Sequence, residues 1–296
     1  MPTSSQQDLL QDRSDYEEGY RSWALEVGAP PDVLPLRKAK RLHPGRVVKV
    51  SSLKEMESVA AEPEAKGIIF ERQNSSSESW LASMADWVAQ QEEVGGGKEG
   101  GVDVFAKQCQ VVVGKRKRGA DPRDVASSCK ALVSELPPGP FRDVVQRDAE
   151  DLAISFMKVC PSAPHLTLQL EIIGENSCCR WHQDFYAGRM ILTYTGPSTW
   201  MVDDADVDYD ALFDPDLVEM SNEVSCPLVV PDFDRIHKPS GNTVMLIKGN
   251  LWPGIDRAKN EMGVVHKSPN VKRLGKEGRL ACKRLVLKVD LSMDEP

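Results

Sequence analysis

Long apolar segments are missing from this 296-residue chain. No hydrophobic run approaches the ~20 residues that a bilayer-spanning helix requires, and the opening residues lack the apolar core of a secretory leader. Positive charge is also in deficit, because 45 acidic residues outnumber 37 basic ones and give a net charge of −8. An acidic chain attracts neither nucleic acid nor anionic lipid. We therefore expect no nucleic-acid partner and no membrane partner.

Paired cysteine motifs are absent too. The seven cysteines include no Cys-x-x-Cys spacing, which argues against a structural zinc knuckle. An odd number of scattered thiols is typical of a reducing compartment. We therefore expect a cytoplasmic protein, although the thiols do not separate the cytoplasm from the nucleus. The chain also lacks a P-loop, a Gly-x-Gly-x-x-Gly turn and a serine-nucleophile elbow, which excludes those kinds of site.

The chain divides into regions of different composition. Residues 1–45 are polar and proline-containing, and we predict that they are partly disordered. Residues 46–296 are predicted to form a single α+β domain, with a helical part at 66–160 and a β-rich part at 161–292. Helices with one apolar face need a sheet to cover, so both parts should share one core.

Apolar residues at helical spacing mark the helical part. A Ser-x-x-Glu capping box at 75–78 precedes a helix that should end at the glycine-rich break at 95–101. Two more helices are predicted to end at Pro137 and before Pro161, because proline cannot continue a helix. The basic cluster at 115–118 is similar to a nuclear signal, but we interpret it as a solvated turn.

The spacing changes to strand alternation after Pro164. In the segment HLTLQLEII the apolar side chains alternate with polar ones, which places them on one face of a strand. Further strands are predicted at 66–73, 189–195, 242–249 and 282–291, and turns rich in Gly and Pro lie between the later ones. The overall prediction is a helical first half followed by an all-β second half.

His182 and Asp184 are the first candidate functional residues. Because they are two apart, a strand would point both to one side, where both reach one ion. An imidazole nitrogen and a carboxylate oxygen suit Fe(II), Mn or Zn, and a facial triad needs a third ligand from a distant strand. His266 follows two β-branched residues near the end of the β-rich part and is the candidate. The alternative is a set of ordinary polar groups at strand ends.

The order of these elements resembles the Fe(II)/2-oxoglutarate oxygenases, which fold as a double-stranded β-helix, a cupin-like jelly roll. The segments PSGNTVMLIKG and VVHKSP are similar to the second half of that fold. The resemblance implies that His182, Asp184 and His266 are catalytic metal ligands. It also implies Fe(II), the small-molecule co-substrate 2-oxoglutarate, and a basic anchor on the last strand, where Arg284 lies. We thus expect a C-terminal β-helix with N-terminal helices packed against it.

The sequence leaves the identity of that basic anchor open. Arg284 and Lys283 are neighbours on one predicted strand, so they face opposite sides of the sheet. If the leucine face of this strand lines the β-helix, Lys283 faces the metal in place of Arg284. Arg189, which follows Asp184 closely, is a third candidate. Tyr194 is a candidate ligand for a co-substrate carboxylate, with a buried core aromatic as the alternative.

A more specific resemblance is to a family defined only as domain of unknown function 1826. Its Cys-x-x-x-His-x-Asp element, followed by an Arg-led strand and a Gly-Pro turn, is similar to CCRWHQD and RMILTYTGPSTW here. The segments GIIFERQ and VHKSP also fit. This resemblance implies the same three ligands and supplies no substrate.

Three functions therefore stay open. The first is an Fe(II)/2-oxoglutarate-type oxygenase with an unknown target. The second is a zinc-dependent hydrolase or metal-handling protein with the same ligands, and the third is a non-catalytic cupin-like binding module. The acidic run at 203–216 lacks the Gly and Glu of an EF-hand loop, so we predict a solvated lid or surface segment there.

Overall fold

A computed structural model describes residues 44–72, 79–91, 103–112, 122–161, 163–173, 179–218, 220, 222–255, 262–269 and 283–292. Within these ranges the protein is a mixed α+β structure with one large sheet and several helices. No helix in these ranges is long and apolar enough to cross a membrane. The predictions for residues 1–43, the capping box at 75–78, the glycine break and the basic cluster concern residues outside the described ranges.

Nine strands occur in the described ranges: β1 Arg46–Val50, β2 Ala65–Glu71, β3 Asp103–Val112, β4 His165–Ile173, β5 Gly188–Thr193, β6 Trp200–Val202, β7 Thr243–Lys248, β8 Val265–Lys267 and β9 Arg284–Ser292. The α-helices there are α1 Leu53–Val59, α2 Ser79–Gln90, α3 Pro122–Leu132, α4 Pro140–Val159, α5 Tyr209–Leu212, α6 Pro215–Val218 and α7 Asn222–Val229.

Seven of the strands form the large sheet, in the order β1-β2-β7-β5-β9-β4-β3. Only β1 and β2 pair in parallel, and the other neighbours are antiparallel. The strands β6 and β8 form a small antiparallel sheet. Met201 of β6 packs against Met245, Ile247 and Val286 of the large sheet. The small sheet therefore covers one face of the large sheet, and we call the space between them the inner side.

The opposite face of the large sheet packs against α1 to α4. Strand alternation decides which side chains point there, so Leu168 and Leu170 of β4 and Leu285 and Leu287 of β9 join the helices in one buried cluster. Full burial of one such side chain stabilises the fold by about 1.5–3 kcal/mol. The other residues of these two strands, which alternate with the leucines and include Arg284, point to the inner side.

The longest helix, α4, has clear sequence signals at both ends. It begins after Gly139, whose φ of 141° suits glycine, and Pro140 occupies its first turn. Its buried stripe repeats at helical spacing and consists of Phe141, Val145, Ala149, Leu152 and Phe156. The helix ends at Val159, and the capping residue Cys160 is followed by Pro161, so the helix ends before that proline as the sequence predicted.

The predicted division into a helical first half and an all-β second half is only partly right. The strands β1, β2 and β3 come from the first half and extend the large sheet at both edges. The short helices α5, α6 and α7 lie in the second half, and α5 and α7 cover the outer side of the small sheet. A parallel pair such as β1 and β2 needs a crossover connection, and here α1 provides it.

The start of the acidic run is buried, which corrects the prediction of a solvated segment. Asp204 is 6% exposed and pairs with Lys66 Nζ at 3.0 Å. It also accepts hydrogen bonds from Gly45 N and Tyr209 Oη, both at 2.7 Å. A buried carboxylate is tolerated only when its oxygens have such partners. This residue therefore fastens the segment after β6 to β1 and β2.

Candidate metal centre

The candidate ligands lie on the small sheet. His266 is the central residue of β8, and His182 pairs with it in an isolated antiparallel bridge. Residues directly opposite each other in an antiparallel pair have side chains on the same face. Both imidazoles consequently project together, with ring centroids 4.4 Å apart. Asp184 follows His182 by two residues and joins them.

The ligand atoms of the three side chains converge. His182 Nε2 is 3.7 Å from Asp184 Oδ1, and His266 Nε2 is 3.5 Å from Asp184 Oδ2. One ligand atom from each residue lies within 4.8 Å of the other two. Ligands held ~2.1 Å from a single ion are somewhat closer together than this, so a bound ion would draw the three groups inward.

Hydrogen bonds to the main chain orient both imidazoles. His182 Nδ1 is 2.9 Å from Arg180 O, and His266 Nδ1 is 3.2 Å from Val264 O. Because a carbonyl oxygen only accepts, each Nδ1 carries a hydrogen, and Nε2 is the ring nitrogen left to bind a metal. A ring N–H held by a main-chain carbonyl in this way is typical of metal-binding histidines.

The charge state of the cluster also suits a cation. Burial lowers the pKa of His266 to about 4, so its imidazole is neutral at neutral pH. Burial alone would raise the pKa of Asp184, but the charges of His266, Arg189 and His182 outweigh it and hold that pKa below its usual value. The centre therefore offers an ionised carboxylate beside a neutral imidazole, a donor set that fits a divalent transition metal.

Arg189 lies beside the cluster, but its guanidinium already forms salt bridges with acidic groups. Its Nε and Nη2 donate to the two oxygens of Asp290 at 2.5 and 3.0 Å, and its Nη1 lies 3.4 Å from Asp184 Oδ2. Tyr186 covers the guanidinium at 4.8 Å from its ring centroid. The structure thus places Arg189 as a bridge between Asp184 and Asp290, and not as a free anchor for a co-substrate.

The two neighbouring basic residues at the start of β9 point in opposite directions. Lys283 Nζ donates to the main-chain oxygen of Gln91, beyond the end of α2 on the helix-covered side. Arg284 is 2% exposed, and its Nη2 donates to Ser268 Oγ at 3.0 Å on the inner side. The leucine face of β9 packs against helices and does not line the space between the sheets. Lys283 therefore does not face the three candidate ligands, contrary to the alternative left open by the sequence.

Tyr194 does not reach the cluster either. It shares the buried helix-side cluster with Met190 and Leu192, on the face of the sheet opposite Arg189. Burial raises its pKa well above the ordinary value for tyrosine. Its position is that of a core aromatic residue, which corrects its candidacy as a ligand for a co-substrate.

The sequence did not single out three charged residues on the inner side. Lys288 of β9 pairs with Glu171 of β4, whose side chain is 4% exposed. Asp290 of β9 holds Arg189, as described above. All three occupy polar positions of otherwise alternating strands, and this alternation was the available signal. The alternation did not reveal how β4, β5 and β9 pair, and it is this pairing that brings the charged residues together.

Comparison with known proteins gives one decisive match. The family described as "Protein of unknown function (DUF1826)" matches residues 63–290, most of the chain. This chain belongs to the DUF1826 family. The resemblance inferred from the residues around His182 and Asp184 is thereby confirmed. No curated protein matches, so DUF1826 membership brings no assigned activity.

Two solved structures share a weak similarity with this DUF1826 protein. One is a putative 2OG-Fe(II) oxygenase family protein of Caulobacter crescentus, at 11% identity and a TM-score of 0.37, with 85% of this chain and 87% of that chain covered. The other is dioxygenase for auxin oxidation 1 of Arabidopsis thaliana, at 12% identity and a TM-score of 0.34, with 84% of this chain and 96% of that chain covered. These scores are too low for either similarity to carry an argument.

Proposed function

We propose that this DUF1826 protein is an Fe(II)-dependent oxygenase that uses 2-oxoglutarate or a closely similar 2-oxo acid. The observation that carries the proposal is the convergence of His182, Asp184 and His266, with each Nδ1 held by a main-chain carbonyl. Two imidazoles and one carboxylate on one side of an octahedral ion are typical of this class of enzyme.

The strand order supports a double-stranded β-helix as the finer description of the fold. Along the chain β4, β5, β7 and β9 enter the large sheet in the adjacent order β7-β5-β9-β4. Between them, His182, β6, His237 and β8 contribute to the small sheet through pairs and isolated bridges. We interpret this alternation between two facing sheets as the β-helix, with β1, β2 and β3 as additions to its larger sheet.

The proposed anchor for the distal carboxylate of the co-substrate is Arg284. Its guanidinium contacts Ser268, which is two residues beyond His266 and directly follows β8, so this contact lies about 6–7 Å along the extended chain from that ligand. Arginine binds carboxylates through two parallel hydrogen bonds. Arg189 and Lys288 are weaker candidates because each already forms a salt bridge, Arg189 with Asp290 and Lys288 with Glu171.

Two buried hydroxyl groups add to the case for an anionic ligand near Arg284. Thr193 and Thr243 pair across β5 and β7, and within the described residues neither side-chain oxygen has a hydrogen-bond partner. Val286 pairs with Thr193, so Arg284 emerges nearby on the same inner face. Buried hydroxyls without partners are costly, and a bound carboxylate would satisfy both.

Fe(II) held by the three ligands would supply the redox chemistry of dioxygen and the 2-oxo acid. The protein's own groups supply binding and orientation. His182, Asp184 and His266 hold the ion, and the carbonyls of Arg180 and Val264 keep the imidazoles in one tautomer. Arg189 fixes one oxygen of Asp184. Arg284, Thr193 and Thr243 would orient the co-substrate.

The test is turnover of 2-oxoglutarate by the purified chain. After removal of metal and addition of Fe(II) in air, we expect succinate to form in the wild type. His266→Gln should abolish it. His237→Gln is the matched control, because His237 also belongs to the small sheet but hydrogen-bonds to Asp203 and lies outside the cluster. Wild type that binds one Fe(II) yet forms no succinate would contradict the proposal, and tight zinc with hydrolytic activity would favour the zinc alternative.

A further inference from the structure

A second reactive group lies on the outer side of the small sheet. Successive residues of a strand point to opposite faces, so Lys267 projects away from the space that His266 faces. Its Nζ lies 5.2 Å from the ring centroid of Trp181 and 5.3 Å from that of Trp200. The ammonium group is thus placed between two tryptophan rings on the reverse side of the candidate metal centre.

A sulfur atom lies within hydrogen-bonding distance of this ammonium. Lys267 is 7% exposed, and its Nζ lies 3.3 Å from Cys226 Sγ. Within the described residues it donates to no oxygen and forms no ion pair. A buried ammonium normally has a carboxylate or several carbonyls around it. The aromatic rings replace part of that stabilisation, and the thiol accepts a hydrogen bond from the ammonium.

Cys226 is a free thiol on α7, held in place from its other side. Its Sγ contacts Cys179 O at 3.6 Å. The residue is 8% exposed, and the next two residues, Pro227 and Leu228, are exposed. The sulfur therefore lies just beneath the surface, within reach of a molecule as small as hydrogen peroxide.

We infer that Cys226 and Lys267 form an oxidation-sensitive pair that becomes covalently linked when peroxide reaches it. In the first step the Cys226 thiol attacks hydrogen peroxide, the O–O bond breaks, and a sulfenic acid and one water form. In the second step the Lys267 ammonium gives one proton to water, and the resulting amine attacks this sulfur and forms a nitrogen–sulfur bond. The sulfenic oxygen takes up a second proton from the nitrogen and leaves as a second water. Sulfur is oxidised by two electrons and peroxide is reduced by two. A thiol later returns the pair to its reduced form.

The link would join α7 to β8, the strand that carries His266. It neither uses nor requires the proposed oxygenase activity, so the two ideas fail independently. Its consequence is local: the outer helix would be fastened to the strand behind the three candidate ligands. Closing a covalent loop between distant residues also restricts the unfolded chain. The oxidised protein should therefore unfold at a higher temperature than the reduced protein.

Peptide mass spectrometry of the full chain tests the pair. After treatment with hydrogen peroxide at a few equivalents and digestion, we expect the peptides of Cys226 and Lys267 to appear joined, with a mass about 2 Da below their sum. Dithiothreitol should restore the separate peptides. The linked protein should also show a higher thermal midpoint, and Cys226→Ser should show neither effect.

One variant and two reference cysteines serve as controls for the joined peptide. Lys267→Arg retains a cation between the tryptophans but lacks the amine, so Cys226 should stop at the sulfenic or sulfinic acid. Within the wild type, the buried Cys129 and Cys160 serve as references that need no substitution. Accumulation of Cys226 sulfinic acid without a joined peptide in the wild type overturns the inference. So does peroxide modification of Cys129 or Cys160 ahead of Cys226.

Discussion

The main chains of His182 and His266 hydrogen-bond to each other in both directions, with N–O distances of 3.0 and 2.9 Å. This reciprocal pair fixes the register of the two segments that carry the candidate ligands. A slip of one residue would turn either imidazole to the outer side of the small sheet. The small sheet is therefore the element that assembles the centre, although β8 is only three residues long.

Asp184 connects this pair to the large sheet. Its oxygens face both imidazoles, while Arg189 of β5 contacts Oδ2 from the other direction. Arg189 is in turn fixed by Asp290 of β9. The position of the carboxylate is thus set by contacts with both sheets, which favours a preformed centre over one that assembles on metal binding.

The first prediction concerns the carboxylate ligand. Asp184→Asn keeps the size of the side chain but removes its charge, so we expect Fe(II) affinity to fall by ~100-fold or more. Anaerobic calorimetry with metal-free protein would measure it. Asp216→Asn, at an exposed carboxylate on α6, is the control and should bind Fe(II) as the wild type does. Equal affinity in both variants would remove Asp184 from the centre.

The second prediction uses the opposite orientations of Arg284 and Lys283. Arg284→Gln should raise the KM for 2-oxoglutarate by about 10-fold to 100-fold, since it removes a charged hydrogen-bond donor worth about 1.5–3 kcal/mol. Fe(II) affinity should stay unchanged. Lys283→Gln, one residue away on the other face, should leave this KM unaltered. The same rise of KM in both variants would argue against Arg284 as the anchor.

Local spacing predicted much of the fold. The strands β4, β5, β7 and β9 and the helices α3 and α4 follow the patterns seen in the sequence, because each has one face of regular alternation or a regular stripe. The predicted end of α3 at Pro137 was wrong, because the helix ends at Leu132 and a turn follows. Spacing and order also selected the three side chains that converge on the small sheet. Whether they hold metal stays a prediction.

What spacing could not supply was long-range pairing. The choice between Arg284 and Lys283 depends on which face of β9 the helices cover, and that is decided by packing. The contact of Lys66 with Asp204 joins residues 138 positions apart. The strands β6 and β8 are only three residues long, too short for alternation to identify.

The third prediction concerns that buried ion pair. Asp204→Ala leaves the Lys66 ammonium, whose side chain is 3% exposed, without its carboxylate, so we expect a loss of about 3–5 kcal/mol in the free energy of unfolding. Urea unfolding would measure it. Lys49 and Glu71 form an exposed pair of the same 3.0 Å length, and Glu71→Gln should cost less than about 1 kcal/mol. Similar losses in both variants would show that Asp204 contributes no more than a surface charge.

The last prediction follows from the lowered pKa of His266. In the unfolded chain this imidazole takes up a proton near its ordinary pKa of 6.5, whereas in the folded, metal-free protein its pKa is about 4. Between these values the unfolded state binds more protons, so stability falls as the pH falls from 6.5 to 4. The full difference corresponds to about 3 kcal/mol.

Urea unfolding of metal-free protein at several pH values measures this slope. His266→Gln removes the titrating group while keeping a polar side chain, so its stability should depend less on pH across the same window. His237→Gln should retain the wild-type slope, because His266 is intact there. If His266→Gln and the wild type lose stability in parallel as the pH falls, His266 takes up its proton equally in both states. Such a result would mean that burial does not keep the His266 imidazole neutral in the folded protein.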